Sequence, residues 1–333
     1  MQPALRSDRD TPAGGQRIEW LDVARGVALL AMAVYHFTWD LEFFGYILPG
    51  TTGFGGWKLF ARCIASSFLF LVGVSLVLAH ARGIRWANFW RRFAMVAGAA
   101  LAISIATYFA MPGAFIFFGI LHQIALASLL GLAFLRLPAA LTLLAAVAVI
   151  ALPQFFRAEF FSHPALWWVG LAPTNPRSND YVPLFPWFGA VLLGIAAARL
   201  AVDTSLTARL AALNPGRRSK PLQFLGRHSL AFYLIHQPVL IGCVWLLSQV
   251  FPAAQQTPEV GFRYTCEASC KQSRDEAFCA RYCACMLDEL EANGDLPKVL
   301  AGDGSAELRE RVTNLAGICT ATTEENNLED PAP

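Results

Sequence analysis

The stretch FWRRFAMVAGAALAISIATYFAM (89–111) begins with two arginines among aromatics and then runs to its end without another charge. Hydrocarbon offers backbone N–H and C=O groups no partner, so a crossing chain must satisfy them internally, and about 20 apolar helical residues do so. Six further stretches read the same way: 22–46, 57–80, 113–135, 138–155, 183–201 and 229–251. The first is the least pure, with Asp22, Arg25, His36, Asp40 and Glu42, and 138–155 is short. The aromatic, proline-broken segment 155–173 suits a membrane interface better than a crossing. The reading is all-α: a polytopic transmembrane bundle of about seven helices over 20–252.

Composition agrees. Of 333 residues, 56% are hydrophobic and 15% charged, against about 45–50% and about 25% in soluble domains. The net charge of +2 hides a split, since 256–333 carries 7 Lys/Arg and 15 Asp/Glu while the preceding chain carries 19 and 9. The net charge says nothing about nucleic acid; the apolar composition makes a lipid bilayer the expected partner, and no nucleic acid is expected. Four regions follow: a polar tail at 1–19, the membrane domain at 20–252, a cysteine-rich domain at 256–320 and an acidic, disordered end at 321–333. Residues 1–19 do not read as a cleaved signal, because the apolar run behind them is too long, so the first span doubles as a signal anchor.

Short loops keep Lys and Arg on the cytoplasmic side. Arg82, Arg85, Arg91 and Arg92 crowd one link, Arg136 marks another, and Arg209, Arg217, Arg218, Lys220 and Arg227 a third. The alternate links are poor in them: 47–56 and 111–113 have none, and 156–182 has only Arg157 and Arg177. The N-terminus is therefore expected in the cytoplasm, and an odd number of crossings puts the C-terminal domain outside.

That domain holds Cys266, Cys270, Cys279, Cys283, Cys285 and Cys319. Residues i and i+4 share a helix face, so C-x3-C, eight residues and C-x3-C fit a helical hairpin. Fifteen connectivities exist; the hairpin favours Cys266–Cys283 and Cys270–Cys279, with Cys285–Cys319 tying down a third segment. Four clustered thiols also suit zinc, but an oxidising compartment and a domain this small favour disulfides. No metal is expected, and the domain reads as a scaffold or docking module. Cys63 and Cys243, inside predicted helices, are expected to be buried apolar side chains.

Ionisable groups inside spans are costly and mark function by default. Asp22 and Arg25, three apart, can pair on one helix face. His36 has Asp40 one turn later, where a carboxylate can fix the imidazole tautomer and raise its basicity; a purely structural pair is the plainer alternative. His122 and His236 lie in two other predicted spans and His228 at the entry of the last. Together they suggest a polar interior for proton or acyl transfer, or for ion passage. His80 and His163 lie in or beside links, where solvation is expected.

Several of these residues sit in stretches that resemble the heparan-alpha-glucosaminide N-acetyltransferase catalytic-domain family: RIEWLDVARGVALLAMAVYHFTWDL (17–41), FLFLVGVSL (68–76), FFGILHQIALASLL (117–130), DYVPLFPWFGAVLLGIAAARL (180–200) and FLGRHSLAFYLIHQPVL (224–240). The likeness is closest to the bacterial branch, which implies a multi-pass protein of the inner membrane, so that the outside reached from the loop charges is the periplasm. In the animal enzymes an acetyl group from cytosolic acetyl-CoA passes across the membrane to a glucosamine amine. The resemblance implies a site lined by Asp22, Arg25, His36, His122, Gln123, Asp180, Trp187, Ser229 and His236. It departs in three respects. No histidine occurs between 37 and 79, where the animal enzymes carry their proposed catalytic one, and His36 stands where they have asparagine. A basic linker replaces several of their helices, and the cysteine domain has no counterpart.

The expected function is a membrane acyltransferase passing an acetyl or acyl group from acyl-CoA to an amino sugar or other surface glycan. No cofactor is held permanently. His36, Asp40, His122 and His236 are the candidate catalytic groups, and Asp22, Arg25, Gln123, Asp180, Trp187, His228 and Ser229 the binding ones. Arg91, Arg92, Arg217, Arg218, Lys220 and Arg227 are placed to hold phosphates, or simply mark the cytoplasmic side. A proton-coupled transporter and a non-catalytic anchor displaying the cysteine domain are the alternatives.

Overall fold

A computed structural model describes residues 17–80, 83–253 and 257–329, with side chains to 325. Arg82, most of the 1–19 tail and residues 330–333 lie outside the described residues. Thirteen α-helices occur in that range and no strand, only a single bridge between Phe118 and Tyr181. The apolar helices are α1 (Glu19–Phe43), α2 (Gly55–His80), α3 (Trp86–Ala110), α4 (Ile120–Phe134), α5 (Ala139–Phe155), α6 (Leu184–Asp203) and, after the short α7 (Leu206–Ala212) and α8 (Lys220–Arg227), α9 (Ser229–Val250). The tail forms α10 (Pro258–Cys270), α11 (Glu276–Ala292), α12 (Leu296–Ala301) and α13 (Ala306–Glu329).

Five of the seven apolar helices, α1, α2, α3, α6 and α9, have the length and hydropathy to cross a membrane. The other two are shorter, 15 residues in α4 and 17 in α5. At 1.5 Å per residue they reach about 22 and 26 Å, less than a hydrocarbon core of about 30 Å. The fourth run thus yields less helix than 113–135 predicts. Pro112 and Gly113 sit in a 3-10 turn, and the extended chain behind it docks on the link before α6, with Val182 N–H donating to Phe118 C=O at 3.1 Å.

The described residues divide into two compact units, 17–32 with 62–235, and 33–61 with 236–329. The first is centred on α6, whose Val191, Leu192 and Ile195 are wholly buried among Leu69 and Leu76 of α2, Ala127 of α4 and Ala146 of α5. Two crossings depend on missing side chains. A Cβ on Gly73 would strike the Val191 carbonyl and one on Gly194 the Phe70 carbonyl, so α2 and α6 meet backbone to backbone. In the same way Gly26 lies against the Leu222 carbonyl and Gly226 against that of Asp22, which clasps α8 to α1.

Large apolar side chains point outward: Leu101, Ile105 and Phe109 on α3, Leu144 and Val147 on α5, Trp245 and Leu246 on α9. Whole helix faces of this kind are unfavourable in water and suit lipid. They also correct the reading of Cys63 and Cys243, which are exposed rather than buried; an apolar thiol on a membrane helix needs no protein neighbour. His163 is solvated as expected, and His80 is half-buried against Phe89.

In the second unit the Glu42 carboxylate ties the loop after α1, accepting from Gly50 N–H at 2.5 Å, Thr52 N–H at 2.8 Å and Thr52 Oγ at 2.7 Å. The tail is the predicted helical hairpin, α10 against α11, closed by Cys266–Cys283 and Cys270–Cys279, while Cys285–Cys319 joins α11 to α13. The preferred pairing is the one present. Asp275 caps α11 by accepting from Phe278 N–H at 2.9 Å. Buried Asp295 accepts from Arg311 and Lys298, which hold its carboxyl down at about 2.

Of the acidic end expected to be disordered, 321–329 continue α13, and 330–333 lie outside the described residues. Thr323 is buried and Glu324 pairs with Arg274 at 2.9 Å, so neighbours hold a segment whose composition alone suggests disorder. Loop entropy orders the cross-links. Opening Cys285–Cys319, 34 residues apart, is expected to cost about 3.7 kcal/mol, against about 2.6 for Cys270–Cys279, 9 apart. Paired alanine variants compared by hydrogen exchange of α11 amides in the full-length protein test this; equal protection in the two would contradict the ordering.

Candidate functional site

In the first unit, Asp22 is 1% exposed although charged. Its Oδ1 accepts from Arg25 Nη1 at 2.9 Å and its Oδ2 from Arg17 Nε at 2.7 Å, with Arg227 Nε at 3.6 Å. Arg25 reaches further, donating to Ser75 Oγ on α2 at 2.6 Å. Arg17, Arg25, Ser75 and Arg227 line a cavity of about 350 Å³, to which Arg92 of α3 adds a fourth guanidinium. Arg92 has no carboxylate partner among the described residues, and no acidic side chain lines the cavity. One carboxylate against four guanidiniums leaves a surplus of positive charge, the signature of an anion site. Behind this rim the walls are apolar, with Leu29, Phe68, Val72, Leu121, Ile124 and Tyr233.

His228 and Ser229 stand on the same rim. The His228 ring lies 4.4 Å from that of Phe224, and its Nδ1 bonds the Phe224 carbonyl at 2.9 Å, which makes that nitrogen the donor. Of the predicted phosphate-binding cations, Arg92 and Arg227 line the cavity; Arg91, Arg217, Arg218 and Lys220 do not.

The start of α4 carries the next group. His122 Nδ1 accepts from Gly119 N–H at 3.2 Å, closing the first turn as a side-chain cap. A neutral ring then carries its proton on Nε2, which lies 3.1 Å from Ser104 Oγ; that hydroxyl in turn donates to the Ile116 carbonyl at 2.6 Å. With one lone pair used and the other nitrogen protonated, His122 is arranged as a donor and not as a base. Asp180 reaches across from the α5–α6 link and accepts from Ile120 N–H at 2.8 Å. Desolvation pushes its carboxyl up to about 6, against the pull of that N–H. Gln123 is wholly buried with neither amide atom partnered. Trp187 lines neither described cavity and packs against the α6 core instead.

The second unit brings two predicted histidines together. The rings of His36 and His236 lie 5.0 Å apart at 64°. The expected His36–Asp40 hydrogen bond does not form. Asp40 is fully buried, and its Oδ1 accepts from Gln237 Nε2 at 2.6 Å, while Oδ2 and Gln237 Oε1 have no partner. Helical spacing puts two residues on one face, but an amide from α9 offers Asp40 a better placed donor.

Sequence reading missed Ser75, Ser104, Arg17 and Gln237 as members of these groups. Gln237 had a signal in its place beside His236; a lone serine in an apolar helix has none.

No curated protein and no solved structure matches the chain. Residues 17–238, two thirds of its length and every stretch that builds the basic cavity, match the family described as heparan-alpha-glucosaminide N-acetyltransferase, catalytic, and the chain belongs to that family.

Proposed function

We propose that this protein transfers an acetyl or other acyl group from acyl-CoA to the amine of an amino sugar, or to a related surface glycan, across a bacterial inner membrane. The observation that carries the reading is the cavity with four guanidiniums at its rim and apolar walls behind, Asp22 pairing three of those guanidiniums from outside the lining. Acyl-CoA has the matching polarity, anionic phosphates at one end and an uncharged thioester arm at the other. A pocket of a few hundred Å³ takes part of such a ligand, with phosphates at Arg25, Arg92 and Arg227.

In the reaction the acceptor nitrogen attacks the thioester carbonyl, the C–S bond breaks and coenzyme A leaves as the thiol with the proton released by the amine. His122, arranged as a donor through the Nε2–H now held on Ser104, is the candidate to stabilise developing negative charge on the carbonyl oxygen. The His36–His236 pair is the candidate for moving the proton or for carrying the acyl group in transit. No cofactor is retained between turnovers.

The loop charges support a cytoplasmic N-terminus. A periplasmic tail is supported by the odd number of helices and by three disulfides, which persist in oxidising compartments. The tail is then a stabilised module outside the membrane, without chemistry of its own.

The test uses full-length protein in lipid discs with labelled acetyl-CoA and a panel of amino-sugar acceptors. Acetyl-CoA is expected to bind in a salt-dependent manner and label to appear on at least one acceptor. Absence of both binding and transfer overturns the reading.

A further inference from the structure

Beside the basic cavity lies a second one of about 220 Å³ between α2, α3 and α4, sharing Ser75 and Arg92 with it. Its own rim carries His80, Arg85 and Asn88, and among the described residues no acidic side chain lines it. Arg85 Nε donates to the Ala79 carbonyl at 3.1 Å and has no carboxylate partner among the described residues. His80 Nδ1 accepts from Arg85 N–H at 3.4 Å, so a neutral ring offers Nε2–H as a donor. Two guanidiniums, an imidazole donor and an amide therefore face a space without a counter-ion. Below them the wall turns apolar, with Leu76, Phe89, Phe93 and Ala125. Trp86 and Trp90, both half-exposed, stand on the first turns of α3, the side chains that settle at the headgroup level of a bilayer.

We propose that this second cavity binds the phosphodiester of an anionic phospholipid, with His80, Arg85 and Arg92 on the phosphate and the first methylenes of one acyl chain against Phe89 and Phe93. At about 220 Å³ the cavity is too small for a whole lipid but takes a headgroup phosphate and the start of a chain. The rest of the lipid stays in the bilayer. Basic pockets between membrane helices recognise anionic headgroups in this way. The site shares Arg92 and Ser75 with the donor cavity, but His80, Arg85 and Asn88 line only this one, so they separate the two readings.

The test is native mass spectrometry of full-length protein released from discs of mixed phosphatidylglycerol and phosphatidylcholine, alongside acetyl-CoA titration. Wild type is expected to retain phosphatidylglycerol in preference. Arg85→Gln, which removes charge, and Ala125→Leu, which fills the apolar end and leaves every charge in place, should each lower its occupancy at least fivefold. Acetyl-CoA affinity should stay within twofold. Equal retention of the two lipids, or unchanged occupancy in both variants, overturns the proposal. So does a parallel fall in acetyl-CoA affinity, which would make the cavity part of the donor site. Displacement of the lipid by millimolar inorganic phosphate, with Ala125→Leu binding as wild type does, would assign the site to free phosphate instead.

Discussion

Replacing Asp22 with alanine is expected to destabilise the first unit by about 3–5 kcal/mol, the cost of removing one partner from a buried ion pair. The reason is the imbalance around it. Among the described residues Asp22 is the one carboxylate paired with Arg17, Arg25 and Arg227, and its side chain is 2% exposed. Without it, the largely buried Arg25 keeps Ser75 as a partner, while the more exposed Arg17 and Arg227 are screened by solvent, so most of the cost falls on Arg25. Asp22→Asn keeps the shape and one acceptor oxygen and should fall between alanine and wild type. The backbone contact of Asp22 with Gly226 is untouched in both variants, so loss of stability reports on charge and not on helix packing. Thermal unfolding in lipid discs, read with size-exclusion profiles, gives the measurement. An unchanged melting temperature in Asp22→Ala would show that the arginines reach solvent and need no internal partner.

The second large effect concerns turnover. His36→Ala is expected to lower kcat by about 10²–10⁴-fold, the usual contribution of a positioned acid or base, while acetyl-CoA binding stays near wild type. His122→Ala should behave differently. It removes the bond to Gly119 N–H and the neighbour of Ser104, so α4 loses its cap and part of the loss is structural. Asp40→Asn should be mild, because its bond is to the Gln237 amide and not to the imidazole. Full turnover in His36→Ala with His236 intact would remove His36 from the chemistry. Loss of acetyl-CoA binding in the same variant would mark it as a structural residue.

Much of this architecture is written in local pattern. Apolar runs place the membrane helices because each must satisfy its own backbone, and the C-x3-C spacing places four sulfurs on two facing helix sides. What pattern does not contain is the identity of the partner. Gly26 and Gly226 look alike to any other glycine in a helix until the carbonyl each one meets is known. The same holds for Asp40, where spacing pointed to His36 and the donor came from α9. The late start of α4 was legible in Pro112 and Gly113, but the apolar residues around them masked it. Short α8 was hidden in a basic linker, since its role rests on a contact nearly two hundred residues away in sequence.

The glycine clasp between α1 and α8 has a mechanical consequence. Two helices whose backbones touch have no side-chain cushion to deform, so they tilt and shift as one body. They carry Asp22, Arg25 and Arg227 with them as a rigid jaw. Widening of the cavity mouth to admit a bulky ligand then falls to the opposite jaw, α3, which brings Arg92 and turns Leu101, Ile105 and Phe109 outward to yielding surroundings.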